Sequence, residues 1–121
     1  MNNSTQKDSK LAVGYIRTTT GRGRLKMREQ MSIIDRAVKD RGSKIVDYYI
    51  ETGSSNDLQH QPMLRSLLKD AEKSNWALVI VCDRHRLSRD ATAYGLIEAE
   101  LKQKGVEIVL AISDPNIVKV D

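Results

Sequence analysis

Val81-Cys82-Asp83-Arg84-His85-Arg86-Leu87-Ser88-Arg89-Asp90 is the stretch on which the reading of this chain turns. It closes an apolar run, Trp76 to Cys82, whose length and β-branched content predict a buried strand. It opens a segment, Arg89 to Lys104, that places Ala93, Ile97 and Leu101 at helical spacing and stops at Gly105. Arg84, Arg86, Arg89 and His85 therefore crowd one strand-to-helix junction. In an open α/β fold such a junction lies at the carboxyl edge of the sheet, where ligands bind. Ser88 is placed to cap the helix, whose positive end would add to the arginine charge. The junction is suited to an anion, with phosphate the first candidate. A solvated basic turn is the simpler reading of one such junction taken alone.

A second cluster changes that balance. Tyr15-Ile16-Arg17-Thr18-Thr19-Thr20 ends another apolar run, Leu11 to Arg17, which predicts the first strand. Two strand ends carrying arginines and hydroxyls in one small domain predict a single convergent site.

The segments between them alternate. Thr18 to Arg24 is a loop freed by Gly21 and Gly23, and the segment Leu25 to Arg41 carries Met27, Met31, Ile34 and Val38 at helical spacing before Gly42. Lys44 to Ile50 predicts a second strand, and Thr52 to Gln61 a polar loop that is long for a simple connection. Pro62 suits the first turn of a helix that buries Leu64, Leu67, Leu68 and Ala71. Val106 to Ile112 predicts the fourth strand, before the chain trails off through Pro115. Strands alternating with amphipathic helices indicate an α/β fold, a mostly parallel sheet of about four strands with helices on both faces. Residues Met1 to Lys10 are polar without periodicity and read as a disordered lead-in, leaving 11–121 as the domain.

Composition narrows the class. With 121 residues, 40% hydrophobic and 30% charged, the chain fits one soluble domain. Four Tyr, one Trp and no Phe require an aliphatic core, which suits a parallel sheet. The net charge of +4 permits a polyanionic partner, and the arginines gather at Arg17 to Arg28 and at Arg84 to Arg89. A single cysteine, Cys82, excludes an intrachain disulfide and a cysteine-based zinc site. The apolar runs are too short for a membrane helix and the N-terminus lacks a signal peptide, so the expected location is cytoplasmic. Asp83, His85 and Asp90 match no metal-ligand spacing, His60 stands alone in a loop, and no P-loop, GxGxxG, GxSxG or CxxC is present. No metal and no small-molecule cofactor is expected.

Phosphoryl transfer without a metal needs several cations to stabilise charge in the transition state. Arg17, Arg86 and Arg89 are the best placed, and a guanidinium can hold two phosphate oxygens at once. Thr18, Thr19 and Thr20 offer hydroxyl nucleophiles.

At these residues the chain resembles the catalytic domain of the serine recombinases, the resolvase/invertase family. The family's Tyr-x-Arg-(Val)-Ser-Thr reads here as Tyr15-Ile16-Arg17-Thr18-Thr19-Thr20, and its Leu-x-x-Gln as Met27-Arg28-Glu29-Gln30. Its Ser-Gly and Arg-Pro-x-Leu read as Thr52-Gly53 and Gln61-Pro62-Met63-Leu64. Its Asp-Arg-Leu-(Ser/Gly)-Arg reads as His85-Arg86-Leu87-Ser88-Arg89. Order and spacing agree over roughly Leu11 to Pro115.

The resemblance implies site-specific DNA recombination, in which a hydroxyl attacks a DNA phosphate and gives a 5′-phosphoester and a free 3′-hydroxyl. It implies DNA as partner, a homodimer or synaptic tetramer, and no metal or nucleotide. By position, Thr19 stands where the nucleophilic serine would be, and Arg17, Arg86 and Arg89 match the arginines on the scissile phosphate. Tyr15, Gln30 and Ser88 match supporting positions, and Glu51 falls near a family acidic position. The departures all fall in the site: Thr19 for serine, Gln61 for an arginine, His85 for an aspartate. Two readings therefore stand, a recombinase catalytic domain and a non-catalytic descendant serving in dimerisation or DNA-complex assembly. The family's long dimerisation helix and DNA-binding module do not fit in these residues.

Overall fold

A computed structural model describes residues 6–18, 25–53 and 61–112 of the chain. Among these residues four strands, β1 (Asp8–Thr18), β2 (Lys44–Thr52), β3 (Trp76–Val81) and β4 (Glu107–Leu110), alternate with three α-helices. The helices are α1 (Met27–Arg41), α2 (Pro62–Ala71) and α3 (Ala91–Gln103), with a single 3-10 turn, Arg84–Arg86, between β3 and α3. The sheet order is β2-β1-β3-β4 and every pairing is parallel. This is the α/β architecture with helices on both faces that the alternating pattern predicts.

That order follows from chirality. The step from β1 to β2 runs one way across the sheet, and the steps from β2 to β3 and β3 to β4 run the other. Right-handed crossovers must then put α1 on one face and α2 and α3 on the opposite one. Two apolar clusters record this. Ala12, Ile16, Leu78, Ile80 and Cys82 pack with Ile34 and Val38 of α1. The alternate residues Val13, Tyr15, Val79 and Val81 pack with Leu64, Leu67, Leu68, Ile97 and Leu101 of α2 and α3. The direction of winding reverses between β1 and β3, and the crevice beyond their carboxyl ends is where such folds place ligands.

Four local expectations need correction. β1 begins at Asp8, not Leu11: Asp8 pairs with Trp76, its N–H donates to the Asn75 carbonyl at 2.7 Å, and Lys7 Nζ donates to the Ser74 carbonyl at 2.7 Å. Backbone pairing thus extends the strand where no apolar side chain announces it, while residues 1–5 lie outside the described residues. Met27 is 40% exposed, and the inward residues of α1 are Gln30, Ile34 and Val38. Gln30 can be buried there because its amide finds backbone partners. Helix α3 starts at Ala91, capped by Asp90 through the Ala93 N–H at 3.3 Å. Ser88 is not the cap, because the 3-10 turn delays the helix and Ser88 Oγ accepts from the Asp90 N–H at 3.1 Å. Ala93 is only half-buried, so the inward face of α3 rests on Ile97 and Leu101.

Gly14 lies in β1 between Tyr48 of β2 and Ile80 of β3. A Cβ there would stand 2.5 Å from Tyr48 Cε1. The Tyr48 ring crosses the strand at this point, and its hydroxyl donates to Asp35 Oδ1 of α1 at 2.6 Å. The glycine is thus required by close approach, not by backbone angle.

At the end of β2, Glu51 is buried at 2% exposure, and its Oε1 accepts from the N–H groups of Met63 at 2.6 Å and Leu64 at 3.1 Å. A strand carboxylate thereby serves the amides that the first turn of α2 leaves unpaired, since Gln61 makes no side-chain cap. Burial pushes the Glu51 carboxyl above the usual glutamate range, against the opposing pull of those amides, Arg17 and Arg65.

Gly14→Ala should cost ~1–3 kcal/mol in urea denaturation, and much of that cost should vanish in a Tyr48→Ala background. Equal losses in both backgrounds would show that the ring is not the obstacle. Glu51 has its own signature. Its raised carboxyl favours the protonated form in the fold, so its contribution is intact below the unfolded-state value and is lost as pH rises through the folded one. From about pH 4 to about pH 7, the native chain should therefore lose stability relative to Glu51→Gln, which keeps an acceptor for both amides. A native chain that gains on the variant over that range would mean that Arg17 and the helix amides outweigh burial.

Candidate active site at the carboxyl edge of the sheet

Tyr15 and Arg17 are alternate residues at the end of β1, so both project to the face that carries α2 and α3. Arg17 is only 4% exposed. Its Nε donates to the Gly53 carbonyl at 2.9 Å, which the left-handed φ of 112° at Gly53 makes reachable. The backbone of Arg17 is bound too. Gln30 Nε2 donates to the Arg17 carbonyl at 3.0 Å and to the Leu25 carbonyl at 3.0 Å, while Gln30 Oε1 accepts from the Arg17 N–H at 3.3 Å. The amide of α1 thus continues the pairing where β1 runs out of strand neighbours.

Arg86 reaches the same point from β3. Its Nη1 donates to the Arg17 carbonyl at 3.4 Å. Its Nε is buried without a hydrogen-bond acceptor among the described residues. Asp83 Oδ2 lies 3.6 Å from that nitrogen, an ion-pair distance too long for a hydrogen bond. Asp83 instead caps the 3-10 turn, its Oδ1 accepting from the His85 N–H at 3.0 Å. Arg89 is exposed at the approach to α3.

The electrostatics tie the three arginines together. Burial lowers the Arg17 guanidinium from its ordinary value, the Tyr15 hydroxyl and Glu51 oppose, and the like charges of Arg89 and Arg86 lower it further. An anion placed among the three would relieve that repulsion. Tyr15 is fully buried, and burial pushes its phenol well up, so it serves as a neutral hydroxyl.

Gln61, at the start of α2, is 1% exposed, and its Nε2 donates to the Leu87 carbonyl at 3.1 Å and to the Tyr15 hydroxyl at 3.4 Å. Ser88 is buried at 2% exposure, just past this contact. Arg84 and His85 are exposed, and the His85 ring makes no hydrogen bond or ion pair among the described residues. Thr18 Oγ1 lies 3.5 Å from the Glu51 carbonyl. Thr19, Thr20 and His60 lie outside the described residues. The structure thus brings Tyr15, Arg17, Gln30, Gln61 and Arg86 together about the end of β1, with Ser88 buried nearby and His85 exposed.

Two partners escaped the sequence reading. The Gly53 carbonyl is invisible in any side-chain pattern. Asp83 carried a signal, an aspartate two residues before a turn amide, which is the spacing of an Asx turn. Among the described residues no group of three or more His, Cys, Asp or Glu is arranged to hold a metal ion. No helix among them is long and apolar enough to cross a membrane.

The model of the "Resolvase, N terminal domain" family matches residues 12–117. A Bacillus subtilis (strain 168) protein named "Putative DNA recombinase" is 32% identical over 95 residues, covering 78% of this chain and 19% of its own length. The chain thus spans about a fifth of that relative. The C-terminal catalytic domain of ISC1926 TnpA, an IS607-like serine recombinase, superposes with a TM-score of 0.74 at 22% identity, covering 86% of this chain and 69% of that one. The N-terminal catalytic domain of TP901-1 integrase gives a TM-score of 0.68 at 21% identity, over 81% of this chain and 75% of that one. At such identities the superpositions establish the fold, while the family model, across nearly the whole chain, establishes descent. The chain belongs to the resolvase family, and it corresponds to that family's N-terminal domain.

Proposed function

We propose that this domain cleaves and rejoins DNA strands at specific sites, with Arg17, Arg86 and Arg89 holding the scissile phosphate and Thr19 supplying the nucleophile. The observation that carries the reading is the buried Arg86 Nε, which lacks an acceptor among the described residues and lies beside Arg17 at the point where the sheet reverses its winding. A buried guanidinium nitrogen without an acceptor is costly, and a phosphate oxygen would satisfy it.

The Thr19 hydroxyl attacks phosphorus and the bond from phosphorus to the 3′-oxygen breaks. The products are a 5′-phosphothreonine ester and a free 3′-hydroxyl, which takes up the proton the threonine releases. Rejoining is the same step reversed with a new 3′-hydroxyl, so no net energy input, metal or nucleotide is consumed. Tyr15, Gln30, Gln61 and Ser88 support the clamp, and His85 faces the DNA from the rim. The working assembly is a homodimer that pairs into a synaptic tetramer, acting in the cytoplasm. The domain comprises residues 11–121 together with the strand start at Asp8.

The second reading, a non-catalytic domain for dimerisation or DNA-complex assembly, draws on one observation: Gln61 is buried and bound to Leu87 and Tyr15, so it offers nothing to a phosphate. The full-length gene product, incubated with DNA from its own locus and run on a denaturing gel, separates the two. The native protein should give a covalent adduct, and Thr19→Ala none. Arg86→Gln should slow adduct formation by roughly 10²–10³. A native protein that assembles on DNA without any adduct would establish the second reading.

A further inference from the structure

The 3-10 turn that carries Arg86 is fixed from three sides. Asp83 caps its start, and the Leu87 side chain is fully buried in the core beneath α2 and α3. Its internal bonds run from the N–H groups of Leu87 and Ser88 back to the Arg84 carbonyl at 3.1 and 3.2 Å. The Leu87 carbonyl takes no part in these bonds and meets the Gln61 amide instead. Gln61 is itself held. Pro62 follows it and keeps its backbone out of the helical region, at φ −127°, so its side chain leaves α2 toward β3. Its second contact, to the Tyr15 hydroxyl, anchors the same amide to β1.

From this geometry we infer that Gln61 is a positioning residue: one neutral amide, bridging β1, α2 and the Arg84–Arg86 turn, sets the depth at which Arg86 enters the crevice. The inference rests on the arginine clamp proposed above. Neutrality matters to it. The amide satisfies a buried carbonyl and a buried phenol without bringing a further charge beside Arg17, which already bears the repulsion of Arg86 and Arg89. Leu87 directly follows Arg86, so a change in the carbonyl's anchor is transmitted to the guanidinium within one residue.

The test uses the 121-residue chain, nitrogen-labelled for NMR and titrated with a mixed-sequence DNA duplex over a range of salt concentrations. Gln61→Met keeps the side-chain length and removes both donors. Circular dichroism should show it folded. Amide exchange at Leu87 to Arg89 should quicken about tenfold, the Arg86 Nε–H resonance should move, and DNA affinity should fall about fivefold, with the salt slope reduced by about one. A role confined to stability would change neither that slope nor the Arg86 resonance of the folded chain. Arg86→Gln is the control for the clamp. If it lowers the slope while Gln61→Met retains the native slope and Arg86 resonance, the clamp stands and the positioning role is wrong. If Arg86→Gln leaves the slope at its native value, the clamp fails and the inference falls with it.

Discussion

The burial of the Arg17 guanidinium at the end of a central strand is the constraint to which the neighbouring elements answer. A cation there needs its donors occupied and its charge offset, or the strand end would not stay in the crevice. The Gly53 carbonyl takes Nε, Glu51 supplies the negative charge, and Gln30 and Arg86 converge on the carbonyl of the same residue. These partners come from the β2 terminus, from α1 and from the turn after β3. The connections after β1, β2 and β3 therefore each deliver at least one group to Arg17. The parallel order makes this possible, because it brings every strand's carboxyl end to the same edge.

Glu51 illustrates how tightly the site and scaffold are joined. Its carboxylate is held in place by the first amides of α2, and from there it faces Arg17. The same group thus caps a helix and balances a cation. Burial raises its carboxyl above the usual glutamate range against the pull of those amides, Arg17 and Arg65, so a charge there is held at some expense in stability. Such a group is expected where position serves a site more than it serves the fold.

The fold was legible in the sequence because its signals are those of long elements. The apolar runs at Leu11 to Arg17 and Trp76 to Cys82, the stripe Leu64, Leu67, Leu68 and Ala71, and Pro62 at a helix start all lie where their patterns indicate. Within the site, Arg17 and Arg86 meet as two strand ends in a parallel sheet must. What stayed hidden depended on backbone groups. Hydropathy puts Gln30 on the outside and Met27 inside, and the structure inverts them, because two backbone carbonyls and an N–H await the Gln30 amide. Ser88 resembles a helix cap in sequence, yet an intervening 3-10 turn moves the helix start to Asp90. Side-chain periodicity reports neither the backbone groups that received Gln30 nor the 3-10 turn that displaced Ser88 from the cap.

The departures from the family pattern at Gln61 and His85 are coupled through charge. Against an arginine at the first position and an aspartate at the second, the chain gives up one positive and one negative charge, and with a neutral histidine the sum is unchanged. The two positions do not weigh equally. Gln61 is buried and His85 exposed, so a charge at the first position would act through protein while one at the second would be screened by water. In the clamp proposed above, the charge that a phosphate would meet then comes from Arg17, Arg86 and Arg89. That concentrates the demands of the site on the exact depth of Arg86, the one of the three whose buried Nε still lacks an acceptor among the described residues. A neutral anchor at Gln61, in the positioning role inferred above, would compensate in geometry for the charge that the site lacks.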